Sequence, residues 1–559
     1  MAEREFDAIV VGAGFSGLYM LHKLRGLGFT AKVIEAADDV GGTWYWNRYP
    51  GARCDIESYD YSYSFDEDLQ QEWAWSERYA PQPEILRYLQ HVAERFDLRR
   101  DIQFETRVER AVWNDDAKRW TIETDRGDSF SARFCIMGTG CLSSFNRPDI
   151  PGLDDFAGPV YLTGQWPHEG VDFTGQRVAV IGTGSSSVQS TPIIAKQAER
   201  LTIFQRTPNY VVPAHNYAIP PEEEQAIKAN YAQLRATARE SAVGSGRILP
   251  RTPVLATKLD EETFRADMER RYAVGGLIGF TGAYADITVD PAAAERMEAF
   301  IAEKIREGVD DPETAEKLIP RSHHIMTKRL CVDIGYYENF NRDNVELVDI
   351  KTTPIERIEA HGLRTSERFY EADALVLATG FDAMTGSLER IEIRGKGNQT
   401  LAEKWAAGPI TFLGLMSAGF PNLFLVTGPG SPSVLTNMVS SIEQHVDYIA
   451  DVMVMMRDRG AQEFEPLPAC ELAWVEHNNS VAATTTLPDA NSWYMGANIP
   501  GKPRVMLPYF GGFPAYRNIC DEIASECYSG FSIDGQATAC DVDFEDHVMR
   551  LMPEELAEA

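Results

Sequence analysis

The sequence predicts an α/β protein built around two Rossmann-like dinucleotide-binding domains. Two segments carry this prediction, VVGAGFSGLY at residues 10–19 and VIGTGSSSVQ at residues 180–189. In each, a short apolar run enters a glycine turn and then a helical segment. The chain has 559 residues, which is enough for roughly three or four domain-sized units. Its apolar content of 44% and charged content of 25% are typical of globular proteins.

The net charge and the cysteines exclude several classes of function. A formal charge of −31 repels phosphate backbones and anionic lipids, so we expect neither nucleic acid nor a membrane as a partner. No run of eighteen apolar residues is present, and Glu3 to Glu5 leave no room for a signal segment. The eight cysteines form neither a C-x-x-C pair nor a metal-like cluster, which predicts reduced thiols, a cytoplasmic protein and no metal. The same scatter disfavours a disulfide reductase.

The first loop predicts a site for FAD or NAD. Gly12, Gly14 and Gly17 follow the apolar run FDAIVV with the G-x-G-x-x-G spacing that lets backbone approach a pyrophosphate. Alone, this spacing is also compatible with a plain turn. The next strand, AKVIEA, ends at Glu35, whose carboxylate accepts hydrogen bonds from ribose hydroxyls and repels a 2′-phosphate.

The second loop predicts a different cofactor. Gly182 and Gly184 repeat the turn, with Ser187 at the place of the third glycine, which predicts looser packing of the helix. Gln205 stands where Glu35 stands in the first unit, and Arg206 and Thr207 follow. A guanidinium at this place favours NADPH over NADH, although a solvated arginine is the alternative. Two loops of opposite ribose chemistry indicate that hydride passes from NADPH to FAD.

The order of segments predicts that both domains are discontinuous. Residues 146–175, rich in glycine and proline, are predicted to be a linker, and Asp290 and Asp311, each followed by proline, are predicted to begin helices of an insertion. The strands ALVLATGFD and NLFLVTGPGS then return the chain to the nucleotide domains. The predicted units are an FAD domain at 1–142 and 381–542, an NADP domain at 143–216 and 324–380, a helical insertion at 217–323, and an acidic tail at 543–559.

Several further segments resemble one family. GGTWYWNRYPGARCD at 41–55, together with KRLCVD, ATGFDAMTGSL, GPGSPSVLTNM and SWYMGANIPGKPRV, resembles the type I Baeyer–Villiger monooxygenases, especially the phenylacetone and steroid monooxygenase branch. The resemblance covers nearly the whole chain except the tail. It implies an FAD-containing, NADPH- and O2-dependent enzyme that inserts oxygen next to a ketone carbonyl through a C4a-peroxyflavin, giving an ester or lactone. Sulfides are implied as further substrates.

One position departs from the family fingerprint F-x-G-x-x-x-H-x-x-x-W-P. The segment reads FAGPVYLTGQWP, so that Leu162 occupies the histidine position between Phe156 and Trp166. In the family this histidine is believed to couple linker and domain positions. Its loss therefore bears on rate and coupling more than on the type of reaction.

The resemblance assigns Arg329 and Asp55 to catalysis. Arg329 would be the fixed cation that stabilises negative charge on oxygen, and Asp55 would hold and orient it. On residue type alone, a Lys-Arg pair is more often solvated surface and an aspartate before a strand is more often a turn cap.

The resemblance also implies the remaining cofactor contacts. For FAD these are Phe15, Ser16, Gly42, Thr43, Trp44, Asp55, Tyr61, Val108 and Met438, in addition to the first loop; for NADP they are Arg53, Thr183, Ser185, Ser186, Ser187, Gln189, Lys328, Arg329 and Trp493, in addition to the second loop, Arg206 and Thr207. Lys328 is expected at the 2′-phosphate. Apart from Tyr61, the alternating YDYSYSF at 59–65 is predicted to be a half-buried strand. The loop GPGSPSVL and Cys141 are expected to border the ketone pocket.

Two other functions stay open at this stage. The first is an oxygenase that acts on nitrogen or sulfur. The second, suggested by Leu162, is an uncoupled NADPH oxidase or a flavin-binding sensor. The sequence is compatible with a monomer.

Overall fold

The structure is a computed structural model that describes residues 4–247, 249, 254–539 and 544. The strands are β1 Arg4–Val11, β2 Ala31–Ile34, β3 Ile102–Gln103, β4 Val108–Asn114, β5 Arg119–Thr124, β6 Ser129–Met137, β7 Val160–Leu162, β8 Arg177–Ile181, β9 Arg200–Gln205, β10 Val211–Pro213, β11 Cys331–Asp333, β12 Val345–Asp349, β13 Ile355–Glu359, β14 Gly362–Thr365, β15 Phe369–Glu371, β16 Ala374–Leu377, β17 Glu392–Arg394, β18 Leu423–Leu425, β19 Phe464–Pro466, β20 Phe531–Ile533 and β21 Gln536–Ala537.

The α-helices are α1 Phe15–Gly26, α2 Thr43–Trp46, α3 Glu67–Glu72, α4 Gln82–Arg95, α5 Ser185–Gln197, α6 Pro221–Ala229, α7 Tyr231–Glu240, α8 Glu261–Val274, α9 Gly276–Phe280, α10 Pro291–Gly308, α11 Pro312–Leu318, α12 Gly386–Glu389, α13 Leu401–Lys404, α14 Met438–Arg459, α15 Pro468–Ala483 and α16 Phe513–Ser525. No helix among the described residues is both long enough and apolar enough to cross a membrane.

The first nucleotide-type sheet has eight strands in the order β17-β4-β5-β6-β1-β2-β3, with β18 also paired to β6. Strands β3, β2, β1, β6 and β18 run parallel, whereas β4 and β5 form an antiparallel hairpin with β6. Ala8, Ile9 and Val10 are fully buried, because helices and loops cover both faces of a parallel sheet. Since β17 and β18 come from residues beyond 390, this sheet is built from two separate parts of the chain.

The second sheet is parallel throughout, in the order β12-β9-β8-β16-β7. It repeats the geometry of the first at the glycine turn. The amide of Gly12 donates to Ile34 O at 2.9 Å, and the amide of Gly182 donates to Phe204 O at 3.0 Å. Glu35 and Gln205 are therefore structurally equivalent, and the predicted pair of Rossmann-like units is confirmed.

The residues predicted as an insertion fold into helices α6 to α11. Asp290 accepts from Ala292 N and Asp311 accepts from Thr314 N, each with proline at the start of the helix. These side-chain caps satisfy amides that have no partner within the helix. Both predicted helix starts are confirmed, while the predicted domain boundaries stay predictions.

Two local predictions are wrong. The segment 146–175 is not only a linker, because it contributes β7, which pairs with β16 in the second sheet. Residues 59–65 form turns instead of a strand. The amides of Asp60 and Tyr61 donate to Glu57 O, and the amide of Tyr63 donates to the hydroxyl of Tyr88. The alternating aromatic pattern therefore reflects packing around turns.

The expectation that all eight cysteines are reduced is wrong at Cys470, which is bonded in a disulfide. Six others, Cys54, Cys135, Cys141, Cys331, Cys520 and Cys527, are free. The predicted acidic tail lies outside the described residues except for Phe544, whose ring packs against Trp474 and His477 at centroid distances of 5.3 Å.

Candidate active site

One cavity of about 1340 Å³ lies between the two sheets, at the carboxyl ends of their parallel strands. Both glycine loops, the segment 41–55 and the residues around Arg329 line it. Ligands of open α/β sheets bind at such strand ends. The volume exceeds the 300–1,000 Å³ or so that holds one small ligand, so the cavity has space for two cofactors and a substrate.

The first glycine loop is shaped for close approach of a ligand. Gly12 has φ +103°, and a Cβ there would lie 2.6 Å from Gly138 O. A Cβ on Gly17 would lie 1.8 Å from Gly12 O, so this glycine lets α1 pack against the turn instead of lining the cavity. Helix α1 begins at Phe15 without a side-chain cap, and its first residues Phe15 and Ser16 line the cavity. Such an N-terminus binds anions.

Glu35 follows β2 on the cavity wall and is 5% exposed. Its carboxylate accepts from the amides of Ala13 at 2.6 Å and Ala37 at 2.8 Å. Burial raises the pKa of Glu35, against the lowering effect of these backbone hydrogen bonds. The carboxylate is thus held rigidly beside the first loop, with lone pairs free for further donors.

The other residues assigned to FAD surround the same half of the cavity. Trp44 Nε1 donates to the hydroxyl of Tyr61 at 3.1 Å, which fixes the two rings edge to face. The structure places on the wall Gly12, Gly14, Phe15, Ser16, Glu35, Gly42, Thr43, Trp44, Asp55, Tyr61, Val108 and Met438.

The second loop presents an open turn. Gly182 has φ +113°, and a Cβ there would lie 2.3 Å from Ala378 O, whereas a Cβ on Gly184 would meet no atom of the described residues within 4 Å. Ser187 is fully buried and does not line the cavity. Ser187 takes the place that Gly17 has in the first unit, and the looser packing expected of α5 stays a prediction.

Gln189 and Tyr49 join the second loop to the segment 41–55. The hydroxyl of Tyr49 donates to Gln189 Oε1 at 2.9 Å, and Gln189 Nε2 donates to Arg53 O at 3.2 Å. Tyr49 lines the cavity, yet the sequence prediction missed it. Its place in the YPGAR run was the available signal.

Three cations converge beyond the second loop. Arg206, Lys328 and Lys351 all line the cavity, and none makes an ion pair within 4 Å to a carboxylate of the described chain. Burial lowers the pKa of Lys328, and the charges of Arg206 and Lys351 lower it further. Unpaired cations in so acidic a protein indicate a site for an anion such as a phosphate.

Two features of this cation cluster escaped the sequence prediction. Lys351 was missed, although it follows β12, whose Asp349 pairs with Gln205 of β9. Gln205 was compared with Glu35, but its side chain turns away from the cavity and donates to Lys317 O at 2.7 Å. Recognition of a phosphate at this strand end would therefore depend on the cations and not on Gln205.

Arg329 and Asp55 form a bidentate ion pair on the cavity wall. Nε and Nη2 of Arg329 donate to the Asp55 carboxylate at 2.6 and 2.8 Å, and Nη1 donates to Val434 O at 2.6 Å. Burial opposes the charge of Arg329, but attraction to Asp55 outweighs it and raises the pKa of Arg329. All three nitrogens of the guanidinium are engaged, so its orientation is fixed.

Arg53 and Trp493 complete the assigned wall. Arg53 Nη1 donates to Glu77 at 3.0 Å and to Tyr79 O at 3.2 Å, while its buried Nε has no partner within the described chain. The NADP-assigned residues on the wall are Arg53, Gly182, Thr183, Gly184, Ser185, Ser186, Gln189, Arg206, Thr207, Lys328, Arg329 and Trp493. The orphaned Nε and the open Gly184 turn both fit a bound polyanionic cofactor.

Three cysteines also border the cavity. Cys54, Cys141 and Cys331 are buried and free. Burial raises their pKa values, to about 11 for both Cys141 and Cys331. Neutral, unpaired thiols do not provide the disulfide chemistry of a reductase.

Leu162 lies away from this wall. It is half-buried on β7 and packs against the apolar core of the second sheet, which includes Ala179, Ile181 and Leu377. The fingerprint position therefore contacts the domain interior and not the cavity.

The chain is similar to known proteins over nearly its whole length. A family profile described as "Pyridine nucleotide-disulphide oxidoreductase" matches residues 9–248. A Baeyer-Villiger monooxygenase of Pseudooceanicola batsensis is 41% identical over 95% of this chain and 97% of its own. A structure of oxidised steroid monooxygenase bound to NADP is 53% identical, with a TM-score of 0.90 over 95% of this chain and 99% of its own. Cyclohexanone monooxygenase from Rhodococcus sp. Phi1 bound to NADP+ is 41% identical, with a TM-score of 0.93 over 96% and 100%.

Proposed function

Since the chain belongs to the FAD- and NADPH-dependent Baeyer–Villiger monooxygenases, which oxygenate ketones to esters or lactones, we propose that it acts on bulky apolar ketones, with Arg329 as the catalytic cation. The observation that carries the proposal is the bidentate pair of Arg329 and Asp55 on the wall shared by both glycine loops. Sulfides are proposed as secondary substrates.

The cation has a defined task in this proposal. Bound FAD, once reduced by NADPH, supplies an oxygen atom from O2. Arg329 stabilises the negative charge that develops on oxygen during transfer and on the former carbonyl oxygen of the ketone. Because Asp55 and Val434 O already fix the guanidinium, little reorganisation is needed when that charge appears.

The two loops would hold the two cofactors. The first loop and Glu35 fit the pyrophosphate and ribose of FAD, since the helix N-terminus attracts the phosphates and the carboxylate accepts from hydroxyls. The second loop, with Arg206, Lys328 and Lys351, fits NADPH, because three unpaired cations favour a 2′-phosphate.

The ketone side of the cavity is apolar. Cys141, Val434 and Trp493 line this side of the cavity, and the buried cluster behind them adds Met384, Tyr494 and Leu507. These apolar surroundings support an aryl or polycyclic ketone over a small polar one. The 53% identity to steroid monooxygenase supports the same size class.

A panel of substrates tests the proposal. Purified holoprotein is supplied with NADPH, O2 and an aryl ketone, a steroid ketone, a small cyclic ketone or an aryl sulfide, while ester, sulfoxide and peroxide are measured. Ester from the bulky ketones, at higher kcat/KM than from the small one, is expected. NADPH consumption that gives only peroxide would identify an oxidase, and preferred oxidation of the sulfide would identify a heteroatom oxygenase.

A further inference from the structure

Two buried residues, one of them on the cavity wall, hold a strained backbone conformation. Thr427 has φ +57° and Leu413 has φ +58°, a left-handed conformation that β-branched and bulky residues rarely adopt. Thr427 follows β18, is 3% exposed and lines the cavity. Such conformations persist only where surrounding contacts impose them, so the structure must contain groups that hold these residues.

His445 and Tyr516 provide those contacts. His445, fully buried on α14, accepts the amide hydrogen of Thr427 at Nδ1, at 2.9 Å. An amide can only donate, so Nδ1 is unprotonated and Nε2 carries the proton. Nε2 then donates to the hydroxyl of Tyr516 at 3.0 Å, and this hydroxyl donates to Leu413 O at 2.6 Å. One directed chain of hydrogen bonds joins the two strained residues.

The protonation of His445 is fixed by its surroundings. Burial lowers the pKa of His445 to about 3, so the ring stays neutral over the ordinary working range of pH. The acceptor for Thr427 is therefore permanent.

The loop 427–434 connects these hydrogen bonds to the catalytic cation. It begins at Thr427 and ends at Val434, whose carbonyl accepts from Arg329 Nη1 at 2.6 Å. The loop also packs closely against the backbone of Leu413 and Gly414. A Cβ on Gly414 would lie 2.5 Å from Ser431 N, and a Cβ on Gly428 would lie 2.4 Å from Gly414 O. Movement of either backbone is thus passed to the other.

We propose that His445 and Tyr516 are positioning residues for oxygen transfer, which set the loop 427–434 and, through Val434 O, the orientation of Arg329. Neither residue lies on the cavity wall, so they act on the substrate only through this loop. The inference rests on the proposed role of Arg329 in ketone oxygenation.

Four variants separate this role from packing. His445→Asn places an amide oxygen near the position of Nδ1 and keeps an acceptor for Thr427, whereas His445→Gln places its amide near Nε2 and loses that acceptor. Tyr516→Phe removes the donor to Leu413 O. Tyr284→Phe is the matched control, because Tyr284 is equally buried, its hydroxyl donates to Asp267 Oδ2 at 2.7 Å, and it contacts neither the loop 427–434 nor the cavity.

The measurements are FAD content, Tm, flavin reduction by NADPH, kcat/KM for the ketone, and peroxide released per NADPH. For His445→Gln and Tyr516→Phe we expect kcat/KM to fall by about 10- to 100-fold and more peroxide to be released, because the loop would move to relieve the penalty of a buried donor or acceptor left without its partner and would no longer orient Arg329. Flavin reduction is expected to change by less than about threefold, since these residues do not contact the NADPH loop. His445→Asn is expected to recover most of the loss.

Two results would overturn the proposal. One is wild-type kcat/KM and coupling in both His445→Gln and Tyr516→Phe. The other is an equal loss of kcat/KM in Tyr284→Phe at a similar drop in Tm, which would show that the loss comes from general destabilisation and not from the loop. If the wild-type protein oxygenates no ketone, the proposed function fails separately. The absorbance spectrum of the bound flavin and peroxide release without ketone then decide, because a displaced loop changes both and an unmoved loop changes neither.

Discussion

Replacing Arg206 by alanine is expected to reduce the preference for NADPH over NADH without disabling the enzyme. Arg206, Lys328 and Lys351 line one end of the cavity and lack carboxylate partners in the described chain. The 2′-phosphate of NADPH is the only group that distinguishes it from NADH. Removing one cation therefore weakens the binding of NADPH and leaves the contacts of NADH in place.

The size of the effect follows from exposure. A hydrogen bond to a charged group contributes about 1.5 to 3 kcal/mol. Arg206 is exposed whereas Lys328 is half-buried, so solvent and salt screen Arg206 more strongly. The lower value applies to Arg206, which corresponds to about a tenfold increase in KM for NADPH. Lys328→Ala is expected to raise KM for NADPH by more than this, and Lys351→Ala, at a position as exposed as that of Arg206, by a similar factor.

The assay compares KM for NADPH and NADH by initial rates of flavin reduction at two ionic strengths. For Arg206→Ala the ratio of the two KM values should change about tenfold at low salt and less at high salt. Arg342→Ala is the control, because Arg342 is exposed near β12 but does not line the cavity. An equal change in KM for both nucleotides would refute the assignment, as would an equal effect of the control.

Three further predictions concern the cavity and the second sheet. Arg329→Ala should lower the rate of ester formation by about 100- to 1000-fold, while NADPH still reduces the flavin. Unchanged ester formation in a product assay would show that Arg329 is not the catalytic cation. Since the pKa of Lys328 is lowered, this lysine loses its charge at a lower pH than usual, so KM for NADPH should rise as pH increases. Lys328→Arg should flatten that rise. Identical pH profiles of KM for NADPH in Lys328→Arg and the wild-type protein would exclude Lys328 as the cause. Leu162→His should alter turnover or peroxide release but not the product, and a different ester by chromatography would contradict this.

Local patterns explain what could be predicted from the sequence. The glycine turns, Glu35 and Arg206 follow directly from apolar strands, and spacing along the chain fixes their place at the strand ends. The helix starts at Asp290 and Asp311 are equally local, because each cap acts within three residues.

Contacts between distant segments explain what was missed. Val434 O accepts from Arg329, which lies more than a hundred residues away in the sequence. Lys351 joins the cation cluster only because β12 pairs with β9. The turns of residues 59–65 depend on tertiary partners such as Tyr88 and Asn437, whose amide donates to Asp60 O. No periodicity in a single chain encodes such pairings.

The pairing of β6 with β18 has a consequence for biosynthesis. Cys135 lies opposite Leu423, so residues 135–137 of β6 lack this neighbouring strand until the ribosome has made the whole intervening unit. Contacts so distant in sequence slow folding, and an unpaired strand edge invites aggregation. The enclosed second unit can fold first and bring the two halves together. Expression at reduced temperature, with ample riboflavin supply, should therefore raise the yield of yellow protein.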